Sequence, residues 1–225
     1  WETTNRFNAG LEGNFFSNRL NVRFNYFRSK TSNLVTLGTL AYVAGLNDYW
    51  TNDGELKNEG FDVALNAKVV NARKFKMEFG GSVGHYKNEI TKLPEGATEF
   101  TTNMYDGTIL TRVGQAAGMF YGYKTEGVFA TTEDAVASGK YIMDNTGKKT
   151  YFEAGDMNFV DKDGNGEING SDRFVIGDPN PDIYGNIFAN FYFGKRWSVS
   201  ANFNYSIGND IYNFQRYMLE RGSSF

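Results

Sequence analysis

The sequence predicts an all-β chain, an antiparallel transmembrane β-barrel portion with short periplasmic turns and long extracellular loops. Three observations predict it. Apolar and polar residues alternate with a period of two over runs of about ten residues, a length that crosses a bilayer when tilted. Connections inside each pair of runs are a few residues, while connections between pairs are far longer (residues 30–60 and 91–182). The 225 residues include 20 Phe and 14 Tyr, yet the mean hydropathy is −0.49, the balance expected when alternate side chains face lipid and a wet lumen.

The first run places Phe7, Ala9, Leu11, Gly13 and Phe15 against Asn8, Gly10, Glu12 and Asn14. It turns at Ser17-Asn18-Arg19 into Leu20, Val22, Phe24 and Tyr26, a hairpin. A second hairpin runs from Phe61, Val63, Leu65, Ala67 and Val69 through a turn at Asn71 to Lys74 into Phe75, Met77, Phe79, Gly81 and Val83. A third runs from Ile187, Ala189, Phe191 and Phe193 through Gly194-Lys195-Arg196 into Trp197, Val199, Ala201, Phe203, Tyr205 and Ile207. Between the last two, Thr108 to Val113 and Met119 to Phe129 read as further strands. Thr132 to Ser138, with acids in its first turn and Gly139 as a stop, reads as one short helix. Alternation alone also fits a β-sandwich with one solvated face; the loop lengths favour the barrel.

Several classes are excluded. No apolar run reaches the length of a spanning helix, and no secretory leader is recognisable at Trp1. With no Cys there is no disulfide framework or thiolate metal site, and a net charge of −3 with dispersed Lys and Arg implies no nucleic acid.

The most specific local signal is a twelve-residue stretch with oxygen donors at the spacing of an EF-hand-like Ca²⁺ loop. Asp161 takes the first position, Asp163 the third, Asn165 the fifth, Glu167 the seventh through its carbonyl, Asn169 the ninth and Asp172 the twelfth. Gly166 supplies the sharp turn and Ile168 the apolar anchor. Asp in place of Glu at the last position suggests a weaker site, and the alternative is a turn held by Asx hydrogen bonds without metal. Tyr42, Tyr49 and Trp50 in the first long connection could stack on sugars, although belt or loop packing suits them better. Phe15, Phe16, Tyr26, Phe27, Phe193 and Trp197 fit an interfacial girdle. His85, the one histidine, has no nucleophile motif beside it and reads as an ordinary strand residue near the rim. Glu133 with Asp134, and Asp178 with Asp182, read as helix-end and turn carboxylates rather than hydrolase machinery. No enzyme is expected.

Four blocks occur in a characteristic order. They are residues 120–129 (Phe-Tyr-Gly-Tyr-Lys-Thr-Glu-Gly-Val-Phe), 155–166 (from Gly155-Asp156 through Asp161 and Asp163), 176–181 (Ile-Gly-Asp-Pro-Asn-Pro) and 208–213 (Gly-Asn-Asp-Ile-Tyr-Asn). Together they resemble the C-terminal barrel part of SusC/RagA-type TonB-dependent transporters. The resemblance implies a barrel of about twenty-two strands in the cell outer membrane, with this chain (residues 1–225) as a partial receptor domain lacking plug, TonB box and remaining strands. It further implies import of oligosaccharides or peptides, energy from TonB through the missing plug, a SusD-like surface lipoprotein as partner, outer-membrane lipid around the strands, and the loop 161–172 in an extracellular segment. The alternative from another class is a secreted Ca²⁺-binding β-rich glycan-binding or adhesin module.

Overall fold

A computed structural model describes residues 1–39, 48–94, 97–104 and 107–220. In chain order the elements are β1 (Thr3–Phe15), β2 (Leu20–Thr39), β3 (Asp48–Asn71), β4 (Phe75–Lys92), β5 (Glu99–Met104), β6 (Gly107–Arg112), β7 (Met119–Tyr123), β8 (Thr125–Val128), α1 (Thr132–Ser138), β9 (Tyr141–Met143), β10 (Lys149–Tyr151), β11 (Met157–Phe159), β12 (Arg173–Gly177), β13 (Ile183–Phe193), β14 (Trp197–Ile207) and α2 (Phe214–Glu220). They form one six-stranded sheet ordered β1-β2-β3-β4-β13-β14, one four-stranded sheet ordered β12-β7-β6-β5, and two strand pairs, β10-β9 and β11-β8.

The three hairpins form with the expected turns. Phe15 pairs with Leu20, Asn71 with Lys76 and Phe193 with Trp197. The first turn is unusual in placing three consecutive non-glycine residues in left-handed backbone: Phe16 and Ser17 at φ 54° and Asn18 at φ 64°. The Arg19 amide closes it by donating to the Phe15 carbonyl at 3.0 Å. Left-handed backbone costs an L-residue about 1–2 kcal/mol. Ser17→Gly is therefore expected to stabilise the hairpin by about 1 kcal/mol, read as slower amide exchange at Phe15 and Leu20.

The structure corrects the barrel expectation. None of the described sheets closes: β1 pairs only with β2, and β14 only with β13. The described residues are thus an all-β assembly of open antiparallel sheets, with no sign of the twenty-two-strand transmembrane barrel, and this chain does not form a closed barrel wall. The placement as a multi-pass barrel of the cell outer membrane is corrected on the same ground. Among the described residues the outer strands of this sheet are β1 and β14. No described helix is long and apolar enough to cross a membrane.

The long connection expected over residues 30–60 is also largely strand. β2 and β3 run for 20 and 24 residues, and β4 for 18. In this extension polar groups stand on both faces and Leu34, Val35, Leu37 and Trp50 do not keep a strict alternation, so no continuous apolar stripe marks it. Cross-strand and same-strand ion pairs line one side instead: Lys30 with Glu55 at 2.8 Å, Lys57 with Glu59 at 2.8 Å and Lys87 with Glu89 at 2.9 Å. A bulge at Asn33, φ 57°, absorbs the register shift between Ser32 and Leu34.

Side chains of the six-stranded sheet separate cleanly by face. One face carries Leu11, Phe24, Phe61, Leu65, Phe79, Ile187 and Phe203, all exposed, with Leu11 at 76% and Phe203 at 69%. No second layer among the described residues covers it, so the sheet-on-sheet core of a sandwich is absent. The other face is rich in amides. Asn21 donates to Glu12 at 2.8 Å and to Asn14 at 2.9 Å, and Ser82 donates to Asn186 at 2.6 Å. Phe27, expected in a girdle, lies on this polar face, because its neighbour Tyr26 takes the apolar one.

By contact, the chain divides into two units. The first comprises residues 1–100, 111–118 and 178–211 and contains the six-stranded sheet; the second comprises 101–110, 119–177 and 212–225. The second has its own small core, in which Phe129, Ala135, Phe152 and Ile168 are buried and Tyr123 and Phe159 pack against them. The expected helix is α1. Its cap is Thr131, one residue before the stretch read as helix: the Thr131 hydroxyl accepts from the Asp134 amide at 3.1 Å, and Gly139 ends the helix at φ 69°.

Candidate metal centre

The stretch 161–172 folds as a compact loop in the second unit. Gly164 at φ 72° and Gly166 at φ 80° make two left-handed bends, which bring carboxylates separated in sequence to one point. Oxygens of Asp161, Asp163 and Asp172 lie within 4.8 Å of one another. That spacing suits a cation whose oxygen ligands stand about 2.3–2.6 Å away. The carboxylate of Glu167 is not in this group.

Backbone amides organise the acids. Asp161 accepts from Gly164 and from Gly166, both at 2.7 Å. Asp163 accepts from the Asn165 amide at 3.2 Å and from its side chain at 2.9 Å. The Asn165 side-chain oxygen accepts from the Glu167 amide at 2.6 Å, and that of Asn169 from Ser171 at 2.8 Å. Asp172, fully buried, accepts from Lys162 at 2.9 Å and from Asn169 at 2.8 Å; with Asn169 it forms a capping box on the 3-10 turn Gly170–Asp172. Each oxygen retains a lone pair beyond these bonds. The same contacts also describe a loop that is self-sufficient through Asx turns.

The loop is anchored on its far side. The Tyr141 amide donates to the Gly166 carbonyl at 2.9 Å, and Ile168 donates to the Tyr141 carbonyl at 2.8 Å. This bridge between Tyr141 and Glu167 is parallel, so the amide and carbonyl of Glu167 itself point away from Tyr141. Ile168 sits in the core of the second unit. Tyr141 was not singled out by sequence reasoning. The apolar triplet Tyr141-Ile142-Met143 just after the helix stop was the available signal.

The hydrogen bond from Gly166 is the largest of the effects that hold the Asp161 carboxyl below the usual carboxylate range; desolvation opposes it, and lesser hydrogen bonds from Gly164 and Asn165 add to it. A depressed folded-state pKa contributes stability that is complete above the unfolded value, near 3.8, and is lost as pH falls through the folded value. Loop order is therefore expected to be flat from about pH 5 to 8 and to decline only below about pH 4, as read by amide exchange at Gly164 and Gly166. A midpoint near neutrality would contradict this assignment.

The other singled-out residues fall elsewhere. His85 is in β4, its Nδ1 2.6 Å from the Asp182 carbonyl and its ring 6.1 Å from Phe61. Glu133 and Asp134 are in the first turn of α1, and Asp178 accepts from the Asn180 amide at 2.8 Å within a turn. Tyr49 and Trp50 belong to β3, with Trp50 exposed; Tyr42 lies outside the described residues.

No model of a known protein family matches the chain. Over 228 residues it is 32% identical to TonB-dependent receptor P3 of Formosa agariphila, covering 99% of this chain and 22% of that protein. It is 26% identical over 223 residues to TonB-dependent receptor SusC of Bacteroides thetaiotaomicron, covering 94% of this chain and 20% of that protein. The chain is homologous to TonB-dependent receptors. Its fold resembles a solved structure of the RagAB peptide importer in a closed-closed state, with a TM-score of 0.68 and 21% identity over 93% of this chain and 21% of that one. The likeness to SusC/RagA-type receptors is thus general, and not to a closed barrel segment, since the described sheets are open. The chain spans about a fifth of the length of these relatives. These relatives are named as receptors and an importer, and the family to which the chain is homologous is not catalytic.

Proposed function

We propose that this chain is a segment of a TonB-dependent receptor that takes up an oligomeric nutrient, an oligosaccharide or a peptide, with TonB as its energy-coupling partner and a SusD-like lipoprotein as its surface partner. The observation that carries this reading is the 32% identity running along 99% of the chain. The shared fold of RagAB, a peptide importer, supports the peptide arm, and the kinship with SusC supports the family of the surface partner. The test is uptake of labelled oligosaccharides and peptides by cells carrying the full-length gene, with and without TonB. Uptake that vanishes when either is deleted supports the reading, and uptake indifferent to TonB overturns it.

Within that segment, Asp161, Asp163, Asn165, the Glu167 carbonyl, Asn169 and Asp172 hold Ca²⁺. An all-oxygen donor set with three convergent carboxylates supports a hard divalent cation. Its physical effect is to offset the entropy of ordering the loop, about 1–2 kcal/mol for each residue fixed. Isothermal titration of Ca²⁺ into the chelator-treated full-length receptor is expected to show a site that disappears in an Asp161→Asn, Asp163→Asn double variant. Absence of any such heat would leave the loop as a set of Asx turns.

A further inference from the structure

One row on the polar face of the six-stranded sheet is aromatic rather than polar. Phe27, Gly60 and Tyr86 are register partners across β2, β3 and β4, and Gly84 is the partner of Tyr184 across β4 and β13. The glycines make room for the rings. A Cβ on Gly60 would stand 2.8 Å from the tip of the Phe27 ring and 2.8 Å from the Cβ of Tyr86, and one on Gly84 would stand 2.6 Å from Cζ of Tyr184. Phe27 and Tyr184 therefore lie down across the sheet where a side chain on either glycine would force them up. Tyr86 and Tyr184 meet edge to face, with centroids 5.8 Å apart at 65°. All three rings are half-buried.

Hydrogen-bonding groups border the rings on the same face. Asn88 donates to Asn58 at 2.7 Å, Asn25 to Asp62 at 3.1 Å and Ser82 to Asn186 at 2.6 Å, while the Tyr86 hydroxyl reaches Asn180 at 3.4 Å. Asp62 is the one carboxylate among these bordering groups, and Arg6 lies 6.0 Å over the Phe27 ring. Low-lying rings with an amide and hydroxyl border match a ligand that has a flat apolar face and a rim of hydroxyls. With strands about 4.8 Å apart, the row extends over about 14 Å, room for more than one sugar ring.

We infer that Phe27, Tyr86 and Tyr184 form a stacking strip for the pyranose rings of a neutral oligosaccharide, with Asn25, Asn58, Asn88 and Asn186 taking the hydroxyls. This rests on the uptake reading above and selects its oligosaccharide arm. Aromatic contacts of this kind discriminate by shape as well as by buried area, and amides serve hydroxyls as both donors and acceptors.

The test titrates the full-length receptor with defined gluco-, xylo-, manno- and galacto-oligosaccharides, whose rings are pyranoses, and with short neutral peptides. Tyr184→Ala and Phe27→Ala are each expected to weaken oligosaccharide binding about tenfold, and Tyr184→Phe to preserve it within about twofold. Amide exchange across β4 and β13 in each variant separates lost stacking from lost sheet. The strip is overturned if both alanine variants bind as the parent does, or if peptides bind and no oligosaccharide does. TonB-dependent uptake that survives these variants would remove the strip and leave the receptor reading standing. Loss of TonB dependence itself would remove that reading.

Discussion

Asp172→Ala is expected to be the most damaging single change in the second unit. Its carboxylate is fully buried and satisfies two main-chain amides, Lys162 at 2.9 Å and Asn169 at 2.8 Å. Truncation leaves both donors without a partner beside the apolar core that contains Ile168. A buried donor left unmade costs about 1–3 kcal/mol, so the loop should lose roughly 2–4 kcal/mol, allowing for partial hydration. In the full-length protein this would appear as amide exchange about two orders of magnitude faster at Lys162, Asn169 and Ile168. Asp172→Asn keeps one oxygen acceptor and should fall between parent and Ala in exchange, while losing the negative charge a cation needs. If Asp172→Ala exchanged like the parent, the residue would be neither a cap nor a structural centre of the loop.

Gly185→Ala is expected to produce the largest loss in the six-stranded sheet. Gly185 pairs with Val83 on one side and Tyr205 on the other. A Cβ there would collide with the Ser82 carbonyl and would stand 2.7 Å from the Tyr205 hydroxyl. The carbonyl belongs to a neighbouring strand and cannot rotate away. The same methyl would displace Tyr205, whose hydroxyl donates to the Ser82 carbonyl at 2.9 Å. Overpacking against backbone and loss of this hydrogen bond together predict about 3 kcal/mol, measured as local exchange across β4 and β13. Tyr205→Phe isolates the hydrogen bond and should cost about 1 kcal/mol. A Gly185→Ala protein within about 0.5 kcal/mol of the parent would show that the two strands can separate without penalty.

These two positions differ in how far the sequence alone reveals them. Asp172 could be singled out because the oxygen-bearing residues of 161–172 stand at a regular spacing within one short stretch, and the bends at Gly164 and Gly166 that gather them are local. Gly185 could not, since its neighbours Ser82 and Tyr205 become neighbours only when β4 pairs with β13 across the long excursion between them. The three hairpins were legible for the same reason as the loop: a period of two and a short turn are properties of adjacent residues. Where that pattern lapsed, reading failed. Residues 30–60 carry polar groups on both faces and gave no continuous stripe, yet much of the segment is paired strand held partly by the ion pair of Lys30 with Glu55. Phe27 and Tyr26 were both expected in one girdle, although consecutive strand residues point to opposite faces.

By itself, then, the chain's order of residues determined its all-β character, the three hairpins and their turns, the short helix α1 and the spacing of the candidate cation loop. All of these depend on interactions within a few residues or across one tight turn. The tertiary structure decided that the strands make open sheets, that β4 joins β13, that Asp172 is buried, and which aromatic rings lie over glycines on the polar face. Those outcomes depend on contacts between segments far apart in sequence, whose pairing no local period encodes.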